Sequence, residues 1–150
     1  MTWGCSMIER EWVIAGRMLA VGGGLAAALC AQLLGAANPF AVDVPLAADG
    51  VQRAVVEADS YDFAPRHLIV KAGRPVELTF KRLTWLVPHN VVIDDPRSGL
   101  AIHEEIPAGE GVTVKFTPMV PGSFAIYCDQ KLLLFKSHRE KGMEGVLEVR

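Results

Sequence analysis

No basic run and no basic stripe interleaved with aromatics occurs in the 150-residue chain, whose formal net charge is only -2. The electrostatic footprint of a nucleic-acid-binding protein is therefore missing. There is also no serine or cysteine nucleophile beside a base, no glycine-rich phosphate loop and no carboxylate pair at a useful spacing, which excludes the common hydrolytic and phosphoryl-transfer chemistries. After residue 50 no long helical pattern, internal repeat or low-complexity segment is visible. Cysteine is scarce, with three in all, and two of them, Cys5 and Cys30, lie near the start.

What the chain does have at its start is an apolar stretch. Residues 18–37, MLAVGGGLAAALCAQLLGAA, run without a charge behind Arg10 and Arg17. Positive charge before an apolar run keeps the N-terminus inside and sends the rest across the membrane. Gly35 and Ala37 suit a small-residue cleavage site, and Gly22, Gly23 and Gly24 weaken a permanent helix. Residues 1–37 are therefore expected to be a signal peptide, with retention as a membrane anchor on the outer face of the cytoplasmic membrane as the alternative. A lipid anchor on Cys30 is not expected, because Leu29 stands where a small residue is needed. After export the only remaining thiol is Cys128, which cannot form an internal disulfide. In an oxidising compartment such a thiol must be buried or bound to metal to survive.

Residues 38–50, with Pro45 and Asp49-Gly50, read as a linker, and residues 51–150 as one domain. Within that domain short β-patterns follow one another: 51–58, 67–72, 75–82, 90–94, 100–106, 112–117, 123–128 and 145–150. In PVELTFKR, Val76, Leu78 and Phe80 alternate with Glu77, Thr79 and Lys81, the mark of a strand with one buried face. Gly and Pro turns separate the patterns, so an all-β Greek-key sandwich or barrel of seven or eight strands is expected. The one helical candidate, residues 130–141, has its apolar residues in a block and should form a turn or two at most.

The chemistry is concentrated in YCDQKLLLFKSHREKGMEGVLEV, residues 127–149. It brings Cys128, His138 and Met143 into one loop, and His89 stands upstream at the start of a strand in VPHNVVI. Two imidazoles, a thiolate and a weak thioether suit a copper ion that cycles between Cu(I) and Cu(II), because both states accept that geometry. Core thiol, surface histidine and buried methionine are the ordinary readings of these residues taken singly. It is their order and strand placement that argue otherwise.

The pieces Pro88-His89-Asn90-Val91-Val92, Gly122 through Tyr127-Cys128, and His138 with Met143 inside GMEGVLEV resemble the blue-copper cupredoxins, and among them the plastocyanin-like proteins. The resemblance covers about residues 51–150. It implies an eight-stranded cupredoxin fold, with His89, Cys128 and His138 as equatorial copper ligands and Met143 as the axial one. It also suggests that Asn90 braces the copper loop and that backbone N–H groups near Asn90 and Asp129 donate to the Cys128 sulfur. One departure stands out: plastocyanin-like proteins place only a pair of residues between the cysteine and the second histidine, whereas nine intervene here, Asp129 to Ser137. Leu132, Leu133, Leu134 and Phe135 are expected to fold back over the metal and exclude water.

His67 and His103 each stand alone and read as ordinary exposed residues, and Trp85 as core or rim. Lys131, Lys136, Arg139 and Lys141 read as a solvated loop or as a basic docking rim. No His-x-His pair occurs, so the further copper sites of the multicopper oxidases are not expected, nor is catalysis. The expectation is a periplasmic one-electron carrier between redox proteins, such as a cytochrome or a membrane oxidoreductase. The alternatives are a copper-binding protein for tolerance or delivery, and an accessory domain of a membrane respiratory complex held there by residues 18–37.

Overall fold

Alternating apolar and polar side chains build two sheets whose inner faces meet. The structure, a computed structural model, describes residues 40–150; the apolar stretch 18–37, with its reading as signal or anchor, lies outside the described residues. The strands are β1 (Ala41–Asp43), β2 (Gln52–Asp59), β3 (Asp62–Ala64), β4 (His67–Val70), β5 (Val76–Arg82), β6 (His89–Asp95), β7 (Leu100–Ile106), β8 (Val112–Phe116), β9 (Gly122–Tyr127) and β10 (Glu144–Val149). One sheet runs β1-β4-β10-β9-β6-β7 and the other β3-β2-β5-β8. In β5 the alternation expected from the sequence holds, with Val76, Leu78 and Phe80 fully buried. Opposite them stand Leu68, Val91, Ile93, Ile126 and Leu147 from the larger sheet, all in the same core. Each large side chain removed from water in this way contributes about 1.5–3 kcal/mol.

Among the described residues the strands number ten, where seven or eight were expected. The two additions are the shortest. β1 lies in the stretch taken for linker, and it pairs in parallel with β4 while Val44 just beyond it is buried and bonds through its N–H to the Ile69 carbonyl at 2.9 Å. β3 lies in SYDFAPR, where Phe63 alone turns inward and meets Phe80 edge-on at 5.9 Å. Three residues are too few to show a period of two, so neither strand announces itself by pattern. Nearby, Gln52 is fully buried yet satisfied, since its amide donates to the Lys71 carbonyl at 3.1 Å and accepts the Lys71 N–H at 2.7 Å. That pair ties the start of β2 to the end of β4.

The helical candidate at residues 130–141 reduces to one 3-10 turn, Arg139–Lys141, with His138 at its N-cap. Gly142 ends it in the left-handed conformation at φ 99°, its N–H returning to the Arg139 carbonyl. A block of apolar residues gives a helix no single face to bury, so nothing stabilises more than this.

Candidate metal centre

The topology brings the sequence-predicted residues to one end of the sandwich. β6 and β9 are antiparallel neighbours paired through Val92 and Tyr127, so the start of β6, where His89 sits, lies beside the end of β9, which Cys128 follows. The loop from β9 to β10 then returns across the same end, carrying His138 and Met143. The Cys128 N–H donates to the Met143 carbonyl at 3.2 Å and the Met143 N–H to the His138 carbonyl at 3.0 Å. Both ends of the loop are thereby fastened to each other.

His89, Cys128 and His138 converge. Their donor atoms are separated by 3.2 Å (His89 Nδ1 to His138 Nδ1), 3.4 Å (Cys128 Sγ to His138 Nδ1) and 3.9 Å (Cys128 Sγ to His89 Nδ1). First-row metal bonds of about 2.0 Å to nitrogen and about 2.3 Å to sulfur, set roughly 120° apart, would put nitrogens about 3.5 Å from each other and about 3.7 Å from sulfur. The observed triangle fits one metal ion. Cys128, His89 and Met143 are fully buried and His138 nearly so. Soft sulfur with imidazole selects copper over the hard oxygen-seeking cations, and the donor set is that of a single mononuclear copper site.

Electrostatics favour metal over proton. Burial, aided by the nearby His138 and Arg82 charges, lowers the His89 pKa to about 4, and burial followed by the Lys141 charge lowers that of His138. Both imidazoles are therefore neutral at pH 7 and offer lone pairs. Burial pushes the Cys128 thiol up, against the pull of the Asn90 and Gln130 backbone amides. Metal binding must accordingly displace the thiol proton, which makes affinity rise with pH.

Around the donors lies a set of supporting contacts. The Asn90 backbone N–H donates to Cys128 Sγ at 3.4 Å, and the Asn90 side chain closes a two-point clamp on Asp129, donating to Oδ1 at 2.6 Å and accepting the Asp129 N–H at 3.1 Å. His103, expected to stand alone, remains largely exposed but faces the Asn90 amide at 3.1 Å. His67, expected to be exposed, is instead half-buried against Glu148 at 2.9 Å, for its strand β4 lies inside the sheet next to β10. Sequence reasoning missed Thr84 and Tyr61. The Thr84 hydroxyl lies 3.4 Å from His89 Nε2 and points its own proton at the Val87 carbonyl, which holds His89 with Nδ1 toward the site. Tyr61 meets the His138 ring edge-on at 4.9 Å and carries the Lys141 ammonium over its face. Neither residue has a spacing signal that could have pointed to it.

The enlarged loop corrects one expectation. Leu133 and Leu134 do not fold back over the metal position but stand out in solvent, Leu134 99% exposed, and Leu132 and Phe135, still largely exposed, reach only the wall of a cleft beside His138. A turn closed by the Phe135 N–H on the Leu132 carbonyl at 2.9 Å, with Leu133 at φ 47°, reverses the chain before those side chains can reach inward. The metal position is shielded instead by the scaffold and by the contacts of Tyr61 and Thr84.

Fold and site together define a copper protein of the two-sheet, single-loop type. The cupredoxin-like domain family matches residues 25–143, and the chain belongs to that family. Among solved structures, the metal-binding domain of the Cu(I)-exporting P-type ATPase CopA of Streptococcus pneumoniae D39, with Cu(I), is similar at a TM-score of 0.57 and 23% identity, over 73% of this chain and 95% of that one. A copper-binding protein solved in its apo form is similar at 0.53 and 20%, over 73% and 97%. Auracyanin B is similar at 0.52 and 26%, over 65% and 88%. No curated protein sequence is a significant match. A position enclosed by buried imidazole and sulfur donors is suited to holding one metal ion.

Proposed function

We propose that this protein is an exported, periplasmic copper-binding cupredoxin in which His89, Cys128 and His138 hold one copper ion with Met143 as the weak fourth donor, and that it serves copper tolerance or delivery. The observation that carries this reading is the buried triangle of Nδ1, Nδ1 and Sγ atoms, none more than 3.9 Å apart. Thiolate and thioether donors favour Cu(I), the form in which a cell moves the metal. Access is provided at one edge, where His138 forms part of a cleft of roughly 370 Å³ with Leu86, Pro88, Leu132 and Phe135. A copper-bearing partner would reach the metal there. The same fold is used with Cu(I) by the metal-binding domain of the pneumococcal exporting ATPase.

A second reading, a one-electron carrier serving a cytochrome or a membrane oxidoreductase, draws support from the stiffness of the site. Cys128 and His89 are fixed by the sheet, and the Asn90 amide holds the sulfur. Donors that cannot rearrange keep the cost of changing oxidation state low.

Loading with Cu(II) and recording absorption and electron spin resonance tests the site itself. An intense thiolate charge-transfer band that vanishes in Cys128→Ser is expected; a wild-type protein that binds copper without such a band, and binds it equally well after the substitution, refutes the ligand set. Copper transfer to a Cu(I) chelator, set beside electron exchange with a cytochrome, then separates the two readings. Rapid exchange with slow metal release, and no growth defect under copper excess when the protein is removed, would overturn tolerance or delivery in favour of electron carrying.

A further inference from the structure

The segment 132–135 is an apolar protrusion that its own domain leaves uncovered. Leu133 is 83% and Leu134 99% exposed, and across the His138 cleft Leu86 is 95% exposed beside Trp85. Isolated surface leucines need no explanation, but a contiguous cluster of this kind marks an interaction site. The turn closed by the Phe135 N–H on the Leu132 carbonyl carries Leu133 and Leu134 outward at its tip, a shape that a fluid apolar phase can surround.

The charges around the turn point the same way. Lys131 and Lys136 bracket it, and Lys141 lies at the base of the cleft over Tyr61. The nearby carboxylates accept hydrogen bonds from neutral groups, Glu140 from the Ser137 N–H and hydroxyl, Asp129 from Asn90 and Glu105 from Gln130, and keep their charge, that of Glu140 within reach of Lys131 and Lys136. From residue 129 to 141 the chain has four basic and two acidic side chains. An apolar tip with lysines at its shoulders matches a bilayer interface, where leucines enter the acyl boundary, lysines reach back to anionic headgroups and tryptophan rests at headgroup depth.

We propose that residues 132–135, with Trp85 and Leu86, insert shallowly into an anionic phospholipid surface, with Lys131 and Lys136 on the headgroups. The domain would then lie with its His138 end toward the membrane, so a copper-bearing partner that uses the His138 cleft would itself sit at that membrane. This rests on the surface alone and holds whether or not the metal centre binds copper.

The test uses the full chain with Trp3→Phe and Trp12→Phe, which leaves Trp85 as the only indole. Vesicles of phosphatidylcholine and phosphatidylglycerol brominated on the acyl chains should quench Trp85 emission about twofold or more, since an indole at the interface lies near those bromines. Adding Leu133→Asp and Leu134→Asp should weaken the vesicle concentration dependence of quenching about 100-fold or more, given that two leucine side chains no longer enter the acyl region. Both positions are exposed, so folding is not at stake, and an unchanged circular dichroism melt verifies that. Salt should weaken the effect by screening. Co-sedimentation of the chain with vesicles while Trp85 stays unquenched overturns the proposal, because attachment then lies elsewhere. Equal quenching by purely neutral vesicles overturns the role of the lysines. A monomer–dimer equilibrium that the paired aspartates abolish, with no response to vesicles, assigns the tip to a second copy of the chain and overturns it as well.

Discussion

Replacing Asn90 by alanine tests how the metal loop is held to the sheet. Asn90 is 1% exposed, and its side chain makes both bonds of the clamp, one from the Asp129 N–H and one to the Asp129 carboxylate at 2.6 Å. Alanine leaves the backbone N–H that meets Cys128 Sγ in place, so the perturbation falls on the clamp and on the exposed contact with His103. Each lost bond costs about 1–1.5 kcal/mol, more for the one to a charged group, and a stranded backbone donor adds its desolvation. The total is about 2–3 kcal/mol. Urea denaturation of the metal-free protein should show that loss at an unchanged m-value. Asn90→Asp sharpens the test, because it keeps the acceptor for the Asp129 N–H and puts a second carboxylate where the donor was. Two carboxylates so close cannot both ionise freely, so this variant should be weakest near pH 7 and recover as the pH falls toward about 4 and a proton is shared. A loss below about 0.5 kcal/mol for Asn90→Ala, or an Asn90→Asp stability that does not improve on mild acidification, would refute the clamp.

Other outcomes follow from the same contacts. Met143→Ala removes a fully buried side chain beside the site and should cost about 2–5 kcal/mol in denaturant unfolding, while the backbone bonds at both ends of the loop persist; a cost under about 1 kcal/mol would mean that the loop collapses onto the gap. Gly145→Ala would set a Cβ 2.6 Å from the Arg66 carbonyl, which forces β10 away from β4 and should cost about 1–3 kcal/mol by the same measurement. Acid should destabilise the fold through its paired carboxylates. Glu77 is held below its ordinary pKa by Lys115 and Arg53, Glu148 by Arg150 and His67, and Asp49 by the Val51 amide and Arg53. A lowered folded-state pKa means that the stabilisation is present above the unfolded value and lost as pH falls through the folded one. The melting temperature should therefore decline from roughly pH 5 to pH 3, and less steeply in Glu77→Gln; a flat profile contradicts these pairings.

Much of the framework was legible because long strands state their period. Val76, Leu78 and Phe80 named their own inner face, and the pattern at 100–106 was readable as the strand that became β7. The three donors that the structure gathers could be nominated because copper chemistry restricts residue types and their order. What remained hidden was local geometry without periodicity. β1 and β3 are shorter than the repeat needed to detect them, and the Thr84 contact with His89 arises from a turn, where spacing carries no signal. His67 was misread because a lone histidine gives no hint that β4 is an interior strand. The outward turn of residues 132–135 was misread for a different reason. Apolar composition suggested burial, but the core is assembled from the strands, and Leu133 in the left-handed region turns the chain away.

The position of β10 also sets an order of events during synthesis. It is the last strand in the chain and yet lies between β4, parallel to it, and β9, antiparallel to it. Until residues 144–149 have been made, the larger sheet is split into two pieces with unpaired edges facing each other. Met143 immediately precedes that strand, so the metal position gains its last neighbour at the moment the sheet closes. A nascent chain therefore cannot trap metal in a finished site before translation has passed this point. Loading of the finished site would follow translation of residues 144–149, and for a chain that crosses a membrane unfolded it would take place on the far side.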